Sequence, residues 1–456
     1  MDAIVRPGGA VGGTARVPGD KSIAHRWLIL ASTARGPSRL VDLPASLDVR
    51  STASTLARIA PHARPALELW TAKAGATVDG GGSTWNAALE GSPVPTLELE
   101  GEGRPSLEGS NLPLDCGNSG TTMRLLTGLL ASAPFSSRLT GDASLSARPM
   151  ERVAEPLRAM GASIRTTGGH APIEIGPARL TGRRLELTVP TAQVKGAILL
   201  AGLDADGETT VVEPAPTRDH TERALRALGA PVTTGNGYVV VRRFQHEGFV
   251  ATCPGDPSSA AFLIAASALT RSALRIEGVG LNPSRLRFLD VLDRMGVSVR
   301  IDHDGEQLGE PVGSISVQAG DALRGVRIEE DELPLIIDEV PILAALAAFA
   351  RSDSWFLGAG ELRVKETDRL SAIVASIRGL GGEAAIEGED LVMAGGGLRG
   401  GSATSGADHR LAMALAVAAL GADAPTTIAG IEAADVSFPG FVASLHALGA
   451  RIEVEP

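Results

Sequence analysis

Cysteine is almost missing from this 456-residue chain: Cys116 and Cys253 stand alone, with no C-x-x-C pair and no paired His. That excludes a disulfide framework and offers no zinc site, so both thiols read as small core residues and no metal is indicated. Aromatics are equally scarce at 3%, with a single Tyr, and the net charge is −11. A nucleic-acid surface needs positive charge and stacking platforms, and this chain is short of both. No apolar run approaches the roughly 20 residues that a membrane crossing takes. The longest, such as Ile198-Leu199-Leu200-Ala201 and the Ala-rich stretch 342–350, stop well short. The opening Met1-Asp2-Ala3-Ile4-Val5-Arg6-Pro7 lacks the basic start and apolar core of a secretory signal. A cytoplasmic protein is expected, with small-molecule partners, no membrane and no nucleic acid.

Lysine is the most telling shortage. Of 42 basic residues only Lys21, Lys73, Lys195 and Lys365 are Lys, and the rest are Arg. A compact ammonium with a movable proton does what a guanidinium cannot, so a retained Lys in an Arg-biased chain marks a place where that chemistry is wanted.

What is present begins with size. At this length and 44% hydrophobic content the chain buries more than one ordinary core, and two domains with a cleft between them are expected. A helix-ending signature then recurs, with Gly following apolar residues at helical spacing: Leu157-Arg158-Ala159-Met160-Gly161, Leu225-Arg226-Ala227-Leu228-Gly229, Leu292-Asp293-Arg294-Met295-Gly296, Ile377-Arg378-Gly379-Leu380-Gly381 and Leu445-His446-Ala447-Leu448-Gly449. A weaker sixth copy ends at Gly75. The steps between these glycines are 86, 68, 67, 85 and 68 residues, so the spacing repeats after 220 or 221 residues. The chain reads as a duplicated half holding three units. Strands follow the signature at Tyr238-Val239-Val240-Val241 and Ile452-Glu453-Val454, whereas Gly80-Gly81-Gly82 reads as a turn in a low-complexity linker.

Between the copies stand six polar loops opening into apolar, Ala-rich helices: Lys21-Ser22, Asn118-Ser119-Gly120-Thr121, Thr191-Ala192-Gln193, Gly255-Asp256-Pro257-Ser258-Ser259, Asp338-Glu339-Val340-Pro341 and Asp408-His409-Arg410. Helices apolar on all sides belong in a core, leaving only their first turns to meet a ligand. Helix N-termini carry partial positive charge and unpaired N–H groups, which suits them to anions. Basic residues stand beside these starts: Lys21 with Arg26, then Arg148 and Arg218 in loops before helices, then Arg363-Val364-Lys365-Glu366-Thr367-Asp368-Arg369, and Arg410. Lys365 and Arg369 are four residues apart, the spacing of one helix face. With Asp338 and Glu366, one half offers two carboxylates and three cations, a set suited to binding anions and moving protons. Phosphate-loop, nucleophile-elbow and H-E-x-x-H patterns are missing.

These strings resemble the enolpyruvyl transferase family, and within it the 5-enolpyruvylshikimate-3-phosphate synthases. The resemblance runs through P-G-D-K-S-x-x-H-R (18–26), L-D-C-G-N-S-G-T-x-M-R (114–124), S-A-R-P-M (146–150), A-Q-V-K-G (192–196), R-V-K-E-T-D-R-L (363–370), D-H-R-L-A-M (408–413) and S-F-P-G-F (437–441). It implies a two-domain inside-out α/β barrel fold with six βαβαββ repeats, three per domain. The domains would be 19–241, on the shikimate 3-phosphate side, and 1–18 plus 242–456. It also implies a monomer without metal or organic cofactor that joins phosphoenolpyruvate to the 5-hydroxyl of shikimate 3-phosphate.

Carried over by position, Lys21, Ser22, Arg26, Thr191, Ala192, Gln193, Arg218, Asp338 and Lys365 would surround shikimate 3-phosphate. Lys21, Gly120, Arg148, Gln193, Arg369 and Arg410 would hold phosphoenolpyruvate. Asp338 would act as base, and Glu366 with Lys21 would deliver the proton. The chain departs from the family pattern at Val436, where some relatives carry Lys, at Thr191-Ala192 and at Glu361. The sister enzyme acting on a UDP-amino sugar characteristically has Cys or Asp on the loop before Arg-Pro. Here that loop reads Asp142-Ala143-Ser144-Leu145-Ser146-Ala147, without Cys, and the K-E-T-D-R string favours the shikimate reading. A non-catalytic anion-binding protein is argued against by the intact Asp338, Glu366 and Lys21.

Overall fold

Six helices that are apolar on nearly every side organise the chain: α1 (Lys21–Ser32), α2 (Gly120–Leu130), α3 (Ala192–Gly202), α4 (Pro257–Leu269), α5 (Val340–Ala347) and α6 (His409–Leu420). The structure, a computed structural model, describes residues 1–79, 96–320 and 322–455; the Gly80-Gly81-Gly82 turn lies outside them. Every residue of α5 and α6 is buried, and so is α4 from Pro257 to Ala268. Such helices have no solvent face and pack only against each other and against sheets. α1, α2 and α3 belong to one hydrophobic cluster, and α4, α5 and α6 to a second.

Sheets cover the helices. Their strands alternate buried and exposed residues, as in Leu97–Glu102, because one face meets the helices and the other meets water. The recurring unit, complete in four of the six sheets, is two parallel strands, then an antiparallel hairpin. One sheet runs Leu114–Asp115, Ser137–Thr140, His170–Gly176, Ser163–Thr167, and its counterpart in the second cluster runs Arg327–Ile328, Ser354–Phe356, Asp390–Met393, Ala384–Glu387. Six such sheets of three or four strands stand apart and do not close into one barrel among the described residues. The helices are inside and the sheets outside, as expected.

The repeat glycines Gly161, Gly229, Gly296, Gly381 and Gly449 all have φ between 80° and 106°, the left-handed region in which a missing Cβ removes the steric cost. Gly75 does not end a helix. It lies inside Arg64–Asp79, since a glycine only weakens a helix whose other contacts persist.

The chain passes twice between the clusters. Strands Asp2–Arg6 and Gly13–Ala15 pair within second-cluster sheets. The strand Val250–Thr252, which a division at 242 assigns to the second domain, pairs with Arg39–Val41, and Ala251 and Cys253 are buried in the first cluster. The two crossings run side by side, Asp20 N donating to Pro254 O at 2.7 Å and Asp256 N to Pro18 O at 2.8 Å. Buried Arg285 donates to both Asp20, at 2.5 Å, and Asp256, at 2.7 Å.

Candidate active site

The starts of α3 and α5, one from each cluster, meet at a cavity of about 290 Å³. The caps explain where the helices begin. Asp20, Ser119, Asp256 and Asp408 each accept a hydrogen bond from a backbone N–H in the first turn, satisfying donors that have no intrahelical partner. Eight of the expected residues line the cavity: Arg148, Thr191, Ala192, Gln193 and Arg218 from the first cluster's side, and Asp338, Lys365 and Glu366 from the second's. Glu361 lines it as well.

The other six expected residues, Lys21, Ser22, Arg26, Gly120, Arg369 and Arg410, are not part of that lining. Arg410 donates to Asp338 O at 2.8 Å, with its other nitrogen 3.6 Å from Oδ2 of the same residue. Arg369 is 2.5 Å from Glu366 and 4.0 Å from Asp338. Arg26 donates to Ser22 O at 2.7 Å, to Thr221 Oγ1 at 2.8 Å and to Ala192 O at 3.4 Å, so α1 is tied to the start of α3. Lys21 Nζ pairs with Asp48 Oδ2 at 3.0 Å. A Cβ added at Gly120 would lie 2.9 Å from Arg124 Nη1 and 3.4 Å from Arg148 Nη1.

Two ion pairs cross the cleft, Arg218 to Asp338 at 2.5 Å and Arg148 to Glu366 at 3.9 Å. Burial alone would raise the Asp338 carboxyl, but Arg410, Arg218, Lys365 and Arg369 outweigh it and hold the group well below the usual carboxylate range. For Glu366 too burial works upward, and Arg369, His409, Arg148 and Lys21 overcome it and keep the carboxylate ionised. Lys365 is lowered, because burial outweighs the attraction of Asp338 and Glu366. The wall is therefore a lattice of charges whose anionic members are Glu361 and the two carboxylates expected to move protons.

Four participants carried no role in the sequence. Arg124 donates to Gln193 Oε1 at 2.5 Å and to Pro149 O at 3.3 Å. Asp408 grips Arg369 at 2.7 and 3.2 Å while capping α6. Both stand within the quoted motif strings, which was the available signal. Asp48 and the cavity-lining Arg152 stand in none of them.

Lys365 and Arg369 do not share a helix face, as the helix begins at Arg369 and residues 365–368 form its approach, with Asp368 as cap. Lys195, retained among so many Arg, is turned away from the cavity and buried between Glu213 at 2.8 Å and Glu222 at 2.7 Å. Cys116 and Cys253 are buried and unpaired. Among the described residues no group of three or more His, Cys, Asp or Glu is arranged to hold a metal ion, and no helix is long and apolar enough to cross a membrane.

The family model described as EPSP synthase (3-phosphoshikimate 1-carboxyvinyltransferase) matches residues 5–71 and 95–445. The chain belongs to the EPSP synthase family. Relatives agree along its length. A 3-phosphoshikimate 1-carboxyvinyltransferase of Halorhodospira halophila is 43% identical, with 99% of this chain and 97% of the relative covered. One of Salinibacter ruber is 43% identical, covering 94% and 95%. Among solved structures, an EPSP synthase of Acinetobacter baumannii superposes with a TM-score of 0.83 at 36% identity, covering both chains fully. The enolpyruvyl transferase NikO of Streptomyces tendae, 21% identical with a TM-score of 0.73 over 99% and 98% of the two chains, shares the fold. The EPSP synthase fold thus brings residues of four motif strings, spread from Arg124 to Glu366, to one cavity.

Proposed function

We propose that enolpyruvyl transfer takes place in this cavity, with Asp338 as base and Glu366 as proton carrier. As a member of its family the chain is a 3-phosphoshikimate 1-carboxyvinyltransferase of the shikimate pathway. It moves the enolpyruvyl group of phosphoenolpyruvate onto the 5-hydroxyl of shikimate 3-phosphate and releases phosphate. The observation that supports the residue roles is the pair of ionised carboxylates, Asp338 and Glu366, facing each other's cations across a wall of Arg and Lys.

Each carboxylate is held too acidic to act while its cations are free to bind it. Shikimate 3-phosphate draws Arg218 and Lys365 to its phosphate, which weakens their hold on Asp338 and makes it a better base for the hydroxyl proton. Phosphoenolpyruvate draws Arg148 and Arg369 in the same way, and Glu366 takes up a proton. The hydroxyl oxygen then attacks the central carbon while Glu366, with Lys21 beside it, protonates the methylene carbon. As phosphate leaves the tetrahedral intermediate, Glu366 takes a proton back from the methyl group. Ser22, Arg26, Thr191, Ala192 and Gln193 hold shikimate 3-phosphate, and Lys21, Gly120, Gln193, Arg369 and Arg410 hold phosphoenolpyruvate with Arg148.

The two clusters are the domains in this reading, the first spanning 19–253 and the second 1–18 with 254–456. Pairing of Val250–Thr252 with Arg39–Val41 supports the later return point. A cytoplasmic monomer fits a biosynthetic enzyme of this kind. Phosphate release from phosphoenolpyruvate, with shikimate 3-phosphate compared against a UDP-amino sugar as acceptor, tests the whole scheme. Turnover with the first acceptor alone is expected, and turnover with the second would overturn it.

A further inference from the structure

Arg124, Arg148 and Arg152 converge on the cavity, and only the first two are anchored to the protein. Arg124 donates to Gln193 and to Pro149 O, and Arg148 donates to Asn118 Oδ1 at 2.7 Å while facing Glu366 at 3.9 Å. Arg152, in the first turn of the helix Glu151–Ala159, makes no hydrogen bond or ion pair with any described residue. Its neighbours offer none. The carboxylate of Glu151 is taken by Arg158, at 2.6 and 3.3 Å, and by Thr166, and Glu155 one turn along makes no ion pair with it.

Three guanidiniums on one wall, with a single carboxylate near them, repel one another. Arg124 shows the effect: burial first, then the charges of Arg152 and Arg148, bring it down to about 10. A basic residue at a helix start also opposes the helix dipole. The arrangement costs stability in the empty protein, and a polyanion in the cavity reverses that cost.

We propose that Arg152 is a substrate-binding residue of this enzyme, contacting an anionic group of phosphoenolpyruvate beside Arg148. The proposal rests on the functional reading above. Arg124 lies against Gly120, on the phosphoenolpyruvate side of that reading, and donates to Gln193, which meets both substrates there, whereas Arg218 and Lys365 carry the shikimate 3-phosphate side.

Steady-state kinetics of Arg152→Gln and Arg152→Lys, varying each substrate in turn, test it. Arg152→Gln is expected to raise KM for phosphoenolpyruvate about tenfold, the loss of one charge-assisted contact. KM for shikimate 3-phosphate and kcat stay within about twofold, the melting temperature is unchanged, and Arg152→Lys restores most of the affinity. An unchanged KM for phosphoenolpyruvate, an equal rise for both substrates, or a Lys variant no better than Gln would overturn the assignment. A wild type that releases no phosphate with these substrates would instead overturn the functional reading beneath it.

Discussion

Asp338 and Lys21 carry opposite burdens in the same field. Asp338 is surrounded by Arg218, Arg369, Lys365 and Arg410, so an amide in its place still accepts the Arg218 hydrogen bond but takes no proton. Asp338→Asn is expected to lower kcat by about 100-fold or more while KM for shikimate 3-phosphate moves only a few-fold. A lost affinity with an intact maximal rate would make it a binding residue instead. Lys21→Ala removes a cation whose field reaches Glu366 and leaves Asp48 without its partner. Turnover about 1,000-fold down is expected from the loss of a preorganised charge, and near-normal rates would take Lys21 out of the site. His246 gives a stability test away from the chemistry. Burial holds it down to about 4 from the ordinary 6.5. Between those values the unfolded chain binds the extra proton, so acidification through this window favours unfolding, while above 6.5 the residue contributes nothing. Melting temperature against pH is expected to fall less steeply from 6.5 to 4 in His246→Gln than in the wild type.

The helix start is the element that makes the site, and α2 is its clearest case. Its first residue has no side chain, and a methyl group at Gly120 would press on the heads of Arg124 and Arg148 at 2.9 and 3.4 Å. Both side chains are long enough to yield, so Gly120→Ala is expected to fold normally and to displace the guanidiniums that face the cavity. KM for phosphoenolpyruvate is expected to rise about tenfold with kcat little changed. Glyphosate is expected to inhibit the wild type in competition with phosphoenolpyruvate and to do so much less in Gly120→Ala. Inhibition constants for the two proteins check this, and a resistant wild type unaffected by the substitution would show that the space at Gly120 does not decide the outcome. The same scale shows where sequence periodicity misleads. Lys365 and Arg369 have helical spacing, yet Asp368 caps the helix immediately before Arg369 and the two cations approach Asp338 from different backbone.

At the scale of the molecule, two clusters meet through pairs of unlike charge. Arg218 to Asp338 and Arg148 to Glu366 hold the cleft together in the absence of substrate, and each partly exposed pair weakens as salt rises. Under the proposed roles, substrates that bridge Arg148 with Arg369 and Arg410 would replace these pairs by stronger ones. The radius of gyration from X-ray scattering is therefore expected to grow with salt in the free enzyme and to return when both substrates are added. Profiles that are the same in all four conditions would count against a hinged cleft. Such a hinge would bend at the crossings beside Arg285, where Asp20 and Asp256 are gripped by one buried guanidinium.

Six apolar helices, five left-handed glycines and the duplicated spacing were all legible in the chain, because periodicity and capping are local and each element carries its own signal. The family resemblance likewise named fourteen site residues, eleven of them inside the motif strings. Eight of the fourteen line the cavity and six do not, a division that only packing could assign. What folding alone decided was partnership. Asp48 lies in no motif, yet it meets Lys21 because the helix Leu47–Ile59 packs beside α1. Lys195 looked like chemistry and is buried between two glutamates, because its helix turns that face towards Glu213 and Glu222. Arg152 was one arginine among many until the third dimension left it facing a cavity whose carboxylates, Asp338, Glu361 and Glu366, form no ion pair with it. Side-chain identity is written in the chain, but whether a charge is neutralised depends on neighbours distant in sequence, and burial makes those neighbours decisive by lowering the dielectric in which they act.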